Sequence, residues 1–205
     1  MPDPENAMLS HETDRTKAAI RVTWIGAILD GILGLLKVIF GVLFFSHALI
    51  ADGIHSLSDL VTDFMVVVII RIAHAEPDEE HPYGHERFET LGTVVLGGLL
   101  IAVAGAMAYD SSLNLLNPED RNLPGWPALL IAFLSIVVKE AIFRYTLAVG
   151  KHIKSDLLIA NAWHSRTDAY SSIVVFIGIG GSMLGITWLD SLAALGVALF
   201  VAKIG

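Results

Sequence analysis

Six long apolar stretches separated by short polar breaks run through this 205-residue chain. They cover residues 18–45, 47–72, 89–116, 125–148, 156–184 and 188–205, and each is long enough for an α-helix to cross a bilayer, which takes about 20 residues. Charged residues make up 17% of the chain, whereas a soluble domain carries about 25%. Because backbone polar groups must be satisfied within the lipid, these stretches predict an all-α integral membrane protein with six transmembrane helices.

Successive helices would alternate in direction, so the breaks between them lie alternately on the two sides of the membrane. Most basic residues at or near these breaks fall on one side. On that side they are Arg15, Lys17, Arg21, Arg71, Arg87, Arg144, Lys151 and Lys154, whereas Arg121 alone lies at the opposite breaks. The positive-inside bias therefore places the N-terminus and C-terminus in the cytoplasm. Residues 1–16 are polar and contain no apolar signal region, so we expect a loose cytoplasmic tail there. Residues 17–205 are then a six-helix transmembrane domain.

One polar phrase occurs twice in these apolar surroundings, at residues 51–59 and 160–168. His55 and Asp59, and likewise His164 and Asp168, are four positions apart, so each pair shares one face of a helix. The two pairs overlap in depth and offer two nitrogen and two oxygen ligands, a set that suits tetrahedral zinc. Ionisable residues within a membrane usually face a pathway or a bundle interior. The duplication therefore favours metal transport over the alternative, in which each His and Asp satisfies local polar groups in a packing seam.

At these residues the chain resembles the cation diffusion facilitator family of divalent-metal/proton antiporters. The resemblance rests on residues 48–59, 77–85 and 164–168. It implies that His55, Asp59, His164 and Asp168 are ligands of a transported zinc ion, which is exported from the cytoplasm in exchange for protons. In the family a His at the first of these positions goes with zinc preference. The same ligands also tolerate iron, cobalt or nickel, and manganese use is a further alternative.

The break after the second stretch contains a second candidate metal site. Asp78, His81 and His85 stand at ligand spacing, and in similar proteins these positions hold a cytoplasmic metal. A solvated loop shaped by Pro82 and Gly84 explains the same residues equally well. Both interpretations stay open.

The resemblance also bears on partners and location. Family members usually continue into a cytoplasmic domain of ferredoxin-like fold that helps to hold a dimer. The chain ends at Gly205, so we expect this domain to be absent and a homodimer to be weakened. The break between the fourth and fifth stretches lacks the His-rich insertion common in eukaryotic relatives, so we expect a bacterial inner membrane protein. Its partners are then the lipid bilayer, divalent metal ions and protons.

Several other classes of protein are disfavoured. A net charge of −8 without a basic face argues against nucleic acid as a partner. The chain has no Cys, so any metal is held by imidazole and carboxylate groups. No HExxH motif is present, which argues against a membrane-embedded zinc hydrolase, and we expect neither an enzyme nor a resident cofactor. A metal sensor or scaffold that binds zinc without moving it remains an alternative.

Other charged residues within the stretches need a partner or a role. Asp52 continues the polar face of His55 and Asp59, where it either lines a water-filled access path or forms a structural ion pair. Lys37, Lys139 and Arg166 are available cations, for which structural pairing is favoured. Lys139 and Glu140 are adjacent and cannot face each other, so each is expected to find its partner on another helix.

Overall fold

The computed structural model describes residues 4–73, 86–117 and 122–204. Six α-helices follow one another in this part of the chain: α1 (Pro4–Leu43), α2 (His47–Ala73), α3 (Glu86–Leu116), α4 (Trp126–His152), α5 (Asp156–Met183) and α6 (Leu189–Ile204). The all-α class and the six predicted helices are confirmed. Apart from the beginning of α1, the helix ends lie within four residues of those expected from the apolar stretches.

Helix α1 begins earlier than the sequence suggests. It starts at Pro4 and continues through residues 5–16, where a loose tail is expected. Proline suits the first position of a helix because its missing N–H has no intrahelical partner there. The expectation of an irregular segment is therefore wrong for these residues, whereas their place in the cytoplasm remains a prediction.

Within the described residues, three helical segments are long and apolar enough to cross a membrane by length and composition: Lys17–Leu43 in α1, Gly97–Leu116 in α3, and Trp126–His152, which is all of α4. The polar phrase interrupts the apolar character of α5, and α6 has 16 residues. Asp52, His55 and Asp168 are nevertheless buried against other helices. Burial within a bundle is how a membrane protein accommodates ionisable side chains.

The packing of the helices makes α2 and α5 direct neighbours. Helix α2 contacts α1, α3, α5 and α6, while α4 packs against both α1 and α5. The largest apolar cluster lies toward the end of the bundle where α1 ends and α2 and α4 begin, and it also includes much of α6. The two polar phrases can therefore face each other beside this core.

Helices α1 and α2 approach closely at Gly53. A Cβ atom there would lie 2.7 Å from Val38 Cγ2 and 2.9 Å from the carbonyl oxygen of Gly34. Real Cβ atoms do not come so close to a neighbouring backbone. Only glycine allows this approach, two residues before His55.

Gly53→Ala is expected to separate the two helices and to destabilise the protein by about 1 to 3 kcal/mol, the usual cost of overpacking. Thermal unfolding in detergent measures the change. Gly98→Ala in α3 is the matched control, because a Cβ atom at Gly98 meets no atom within 4 Å. Equal unfolding temperatures for the two variants would contradict the close approach.

Candidate metal centre

Three of the four predicted ligands converge between α2 and α5. One potential ligand atom from each of His55, Asp59 and Asp168 lies within 4.8 Å of the others. His55 Nδ1 is 3.5 Å from Asp59 Oδ2, one helical turn away, while Asp168 approaches from α5. The two helices thus present the imidazole and both carboxylates to the same point.

The imidazole of His55 is buried in an environment that is unusual for a polar side chain. The side chain is 1% exposed, and neither ring nitrogen makes a hydrogen bond. Phe200 of α6 packs edge-on against the ring, with centroids 5.6 Å apart. Buried polar atoms are nearly always satisfied. An ion held together with Asp59 and Asp168 would satisfy this imidazole.

His164 lies beside this cluster rather than within it. Its side chain is exposed and lines a cavity of about 80 Å³ together with Asp59 and Asp168, a volume sufficient for several water molecules. The other lining residues are Val22, Thr23, Gly26, Ala27, Asp30, Ser56, Leu60, Lys139, Ile142, Thr146, Asn161 and Ser165. The cavity therefore extends from the middle of the bundle toward the end where α1 begins.

The second predicted site, formed by Asp78, His81 and His85, lies outside the described residues. It remains a prediction from the sequence.

Asp52 belongs to a buried ion-pair network next to the cluster. Its Oδ2 lies 2.7 Å from Lys37 Nζ, and both side chains are fully buried. Ser171 and Ser172 donate hydrogen bonds to the two carboxylate oxygens at 3.0 and 2.9 Å, and Lys37 donates to Ser56 at 3.3 Å. This network joins α1, α2 and α5, which favours the structural ion pair over an access path for Asp52.

Two charged residues near the cluster were not assigned to it from the sequence. Lys139 Nζ lies 3.7 Å from Asp168 Oδ2, and Asp30 of α1 lines the same cavity with its Oδ1 buried and without a hydrogen bond. A carboxylate in the middle of the first apolar stretch was the available signal for Asp30. Nothing in the spacing could assign Lys139 to Asp168, because the pairing depends on how α4 packs against α5.

Two further charged residues of the bundle, Glu140 and Arg166, interact with neighbours other than the cluster. Glu140 accepts a hydrogen bond from Arg144 Nε at 2.7 Å, one turn along α4. The expectation of a partner on another helix is therefore wrong for Glu140, because the i,i+4 position of its own helix supplies one. Arg166 lies over the rings of Phe143 and Trp163, at 4.6 and 5.3 Å from their centroids.

A histidine and carboxylate cluster buried inside a bundle of membrane helices is a candidate cation-binding site. Residues 23–205 match the family model described as the cation efflux transmembrane domain. The chain belongs to this family, the cation diffusion facilitators.

Relatives include an uncharacterized transporter of Methanocaldococcus jannaschii, 42% identical over 84% of this chain and 61% of its own length. Metal tolerance protein C1 of Arabidopsis thaliana is 39% identical over 84% of this chain and 40% of its own length. The magnetosome protein MamB of a Magnetospira strain is 36% identical over 82% of this chain and 57% of its own length. The chain thus spans between 40% and 61% of the length of these relatives.

Proposed function

We propose that this domain transports a divalent metal cation, most favourably zinc, across the membrane in exchange for protons. The observation that carries the proposal is the buried His55 imidazole, which lacks hydrogen bonds and lies with two carboxylates inside a membrane bundle. The family membership supports metal transport in general. The relatives' names include a metal tolerance protein and a transporter, but they name no single metal.

The ligand chemistry favours zinc. Imidazole is a borderline ligand that suits zinc, iron, cobalt and nickel, whereas magnesium and calcium prefer oxygen ligands alone. Two imidazoles and two carboxylates would give the tetrahedral set that zinc prefers and would neutralise its charge. Iron, cobalt, nickel and manganese remain the alternative substrates.

His164 is the fourth ligand in this proposal. It lies one turn before Asp168 on α5 and lines the same cavity, so a rotation of its side chain would bring it toward the cluster. Its exposure suits a residue that first meets the ion as the ion enters from the cavity.

Proton exchange follows from the chemistry of imidazole. Histidine binds a metal only in its neutral form, so a proton and a metal ion compete for the same nitrogen. If α2 and α5 alternate between arrangements open to either side of the membrane, zinc loaded from the cytoplasm is released outside when protons replace it. The membrane potential favours proton entry by about 2.3 kcal/mol per charge per 100 mV but opposes export of the divalent ion by twice as much, so the pH gradient supplies the driving force when one or two protons exchange per ion. An inward proton gradient would thus drive export.

Zinc affinity is expected to fall as the pH is lowered from about 7.5 to 5.5, because free imidazole has a pKa near 6.5 and its protonated form cannot bind the ion. Calorimetry in two buffers with different ionisation enthalpies would also show the protons released on zinc binding. An affinity that stays constant over this pH range would contradict proton exchange at His55 and His164.

Zinc flux into sealed proteoliposomes tests transport itself. With an imposed pH gradient we expect zinc to accumulate on the acidic side, whereas dissipation of the gradient with an ionophore abolishes the accumulation. Parallel measurements with manganese, iron, cobalt and nickel rank the substrates. Zinc binding without any flux would support the alternative of a sensor or scaffold.

The wider setting forms part of the same proposal. We expect a multi-pass protein of a bacterial inner membrane, with the N-terminal and C-terminal ends of the six-helix bundle in the cytoplasm. We also expect the protein to form a homodimer. Asp78, His81 and His85 would bind a further metal on the cytoplasmic side.

A further inference from the structure

Lys139 holds a positive charge next to a proposed ligand of a divalent cation. Its side chain is 2% exposed, and its ammonium lies 3.7 Å from Asp168 Oδ2. An ion bound to Asp168 would be repelled by this ammonium, and in a partly buried site such repulsion amounts to several kcal/mol at short range. The Lys139 ammonium therefore opposes metal binding, and the surrounding charges must be counted to explain why it lies there.

The charges around the cavity give a reason for this lysine. The charged side chains that line it in the described part of the chain are Asp30, Asp59, Asp168 and Lys139. The neighbouring Lys37 and Asp52 form a neutral pair of their own. With its carboxylates ionised and His164 neutral, the cavity has a net charge of −2. One divalent cation brings that charge to zero.

Asp30 offers a second partner for the ammonium. Its Oδ1 is buried without a hydrogen bond, and Asp30 and Lys139 line the same cavity. Asp30 lies on α1, whereas Asp168 lies on α5. Because the lysine side chain is long and flexible, we expect its ammonium to approach either carboxylate across the cavity.

We propose that Lys139 sets the charge of the metal cavity at the value that one divalent ion neutralises, and that its ammonium turns from Asp168 toward Asp30 when the ion takes the Asp168 carboxylate. This inference rests on the proposed function and adds a determinant of charge selectivity and of release. Lys139 holds no ion itself. It limits how tightly the ion is held and orients Asp168 until the ion arrives.

Removal of this ammonium leaves a cavity with three negative charges. A divalent ion is then held more tightly and released more slowly. Removal of the Asp30 charge has the opposite effect on affinity, because the lysine then repels the ion with no second carboxylate to turn to. Removal of both charges restores the original net charge, so the zinc affinity should return toward that of the wild type. A purely structural role of Lys139 predicts no such compensation.

Zinc calorimetry in detergent on the full chain tests this inference with four proteins: the wild type, Lys139→Met, Asp30→Asn and the double variant. We expect Lys139→Met to lower the zinc Kd at least about tenfold and Asp30→Asn to raise it by a similar factor. The double variant should return to within about threefold of the wild type. Lys139→Arg, which retains the charge, should also bind zinc nearly as the wild type does.

An unchanged or higher zinc Kd in folded Lys139→Met would overturn the inference. If this variant does not fold, the double variant decides, because its net charge is that of the wild type and a Kd shifted by more than about tenfold would overturn the inference as well. Asp168→Asn, measured in parallel, separates this inference from the proposed function. Failure of the wild type to bind zinc, or full binding by Asp168→Asn, would contradict the metal site itself.

Discussion

His55→Ala is expected to abolish zinc flux and to weaken zinc binding by at least about 100-fold, because loss of a direct ligand exceeds the 10- to 100-fold cost of losing an outer-shell partner. His55 supplies the only imidazole among the three groups that already converge within 4.8 Å in the described part of the chain. The two remaining carboxylates would hold zinc weakly. Titration with zinc and flux in proteoliposomes measure the two effects.

The substitution should leave the bundle folded. Neither ring nitrogen of His55 makes a hydrogen bond, so truncation removes mainly the edge-on contact with Phe200 and the 3.5 Å approach to Asp59. His152→Ala is the control, because His152 is exposed in the last turn of α4. Zinc flux in His55→Ala equal to that in His152→Ala would contradict the assignment of His55.

Asp52→Ala is expected to have the largest effect on stability. It leaves the Lys37 ammonium buried without its counterion at 2.7 Å, and breaking a buried ion pair from one side costs about 3 to 5 kcal/mol. It also removes the acceptor of the Ser171 and Ser172 hydrogen bonds. We expect a marked fall in the unfolding temperature in detergent, or loss of the folded protein.

Two further variants separate the ion pair from other causes. Lys37→Met combined with Asp52→Asn should recover much of the lost stability, because no uncompensated charge then remains in the interior. Asp110→Ala is the matched control, since the carboxylate of Asp110 contacts His47 at 2.8 Å but is largely exposed. An exposed pair contributes little. If Asp52→Ala unfolds at the same temperature as Asp110→Ala, the Lys37–Asp52 pair does not stabilise the bundle.

Much of the fold follows from the sequence because membrane helices must satisfy their backbone internally and therefore appear as long apolar stretches. The boundaries of α2 and α5 follow from such stretches despite their polar phrases. The beginning of α1 does not, because residues 4–16 are mostly polar and lack the apolar run that marks a membrane helix, although Glu, Arg, Ala, Met and Leu among them are good helix formers.

The convergence of His55, Asp59 and Asp168 could be anticipated because helical spacing and matched depth fix the residues that face each other, provided that the helices are neighbours. The conformation of the His164 side chain could not, since spacing determines a face of the helix but not a rotamer. The role of Lys139 depends on the packing of α4 against α5. A repeated motif indicates a site in the sequence, whereas a counterion outside the motif, such as Lys139, is identified only from the packed structure.

X-ray absorption at the zinc edge tests the central claim most directly. The measurement uses protein that carries His81→Ala and His85→Ala and is loaded with one zinc ion per chain, so that the loop histidines contribute nothing. Imidazole is recognised by the scattering of its outer ring atoms. We predict a four-coordinate ion with imidazole nitrogen and carboxylate oxygen ligands at about 2.0 to 2.2 Å. A shell of oxygen atoms alone, without imidazole scattering, would contradict a metal site built on His55 and His164.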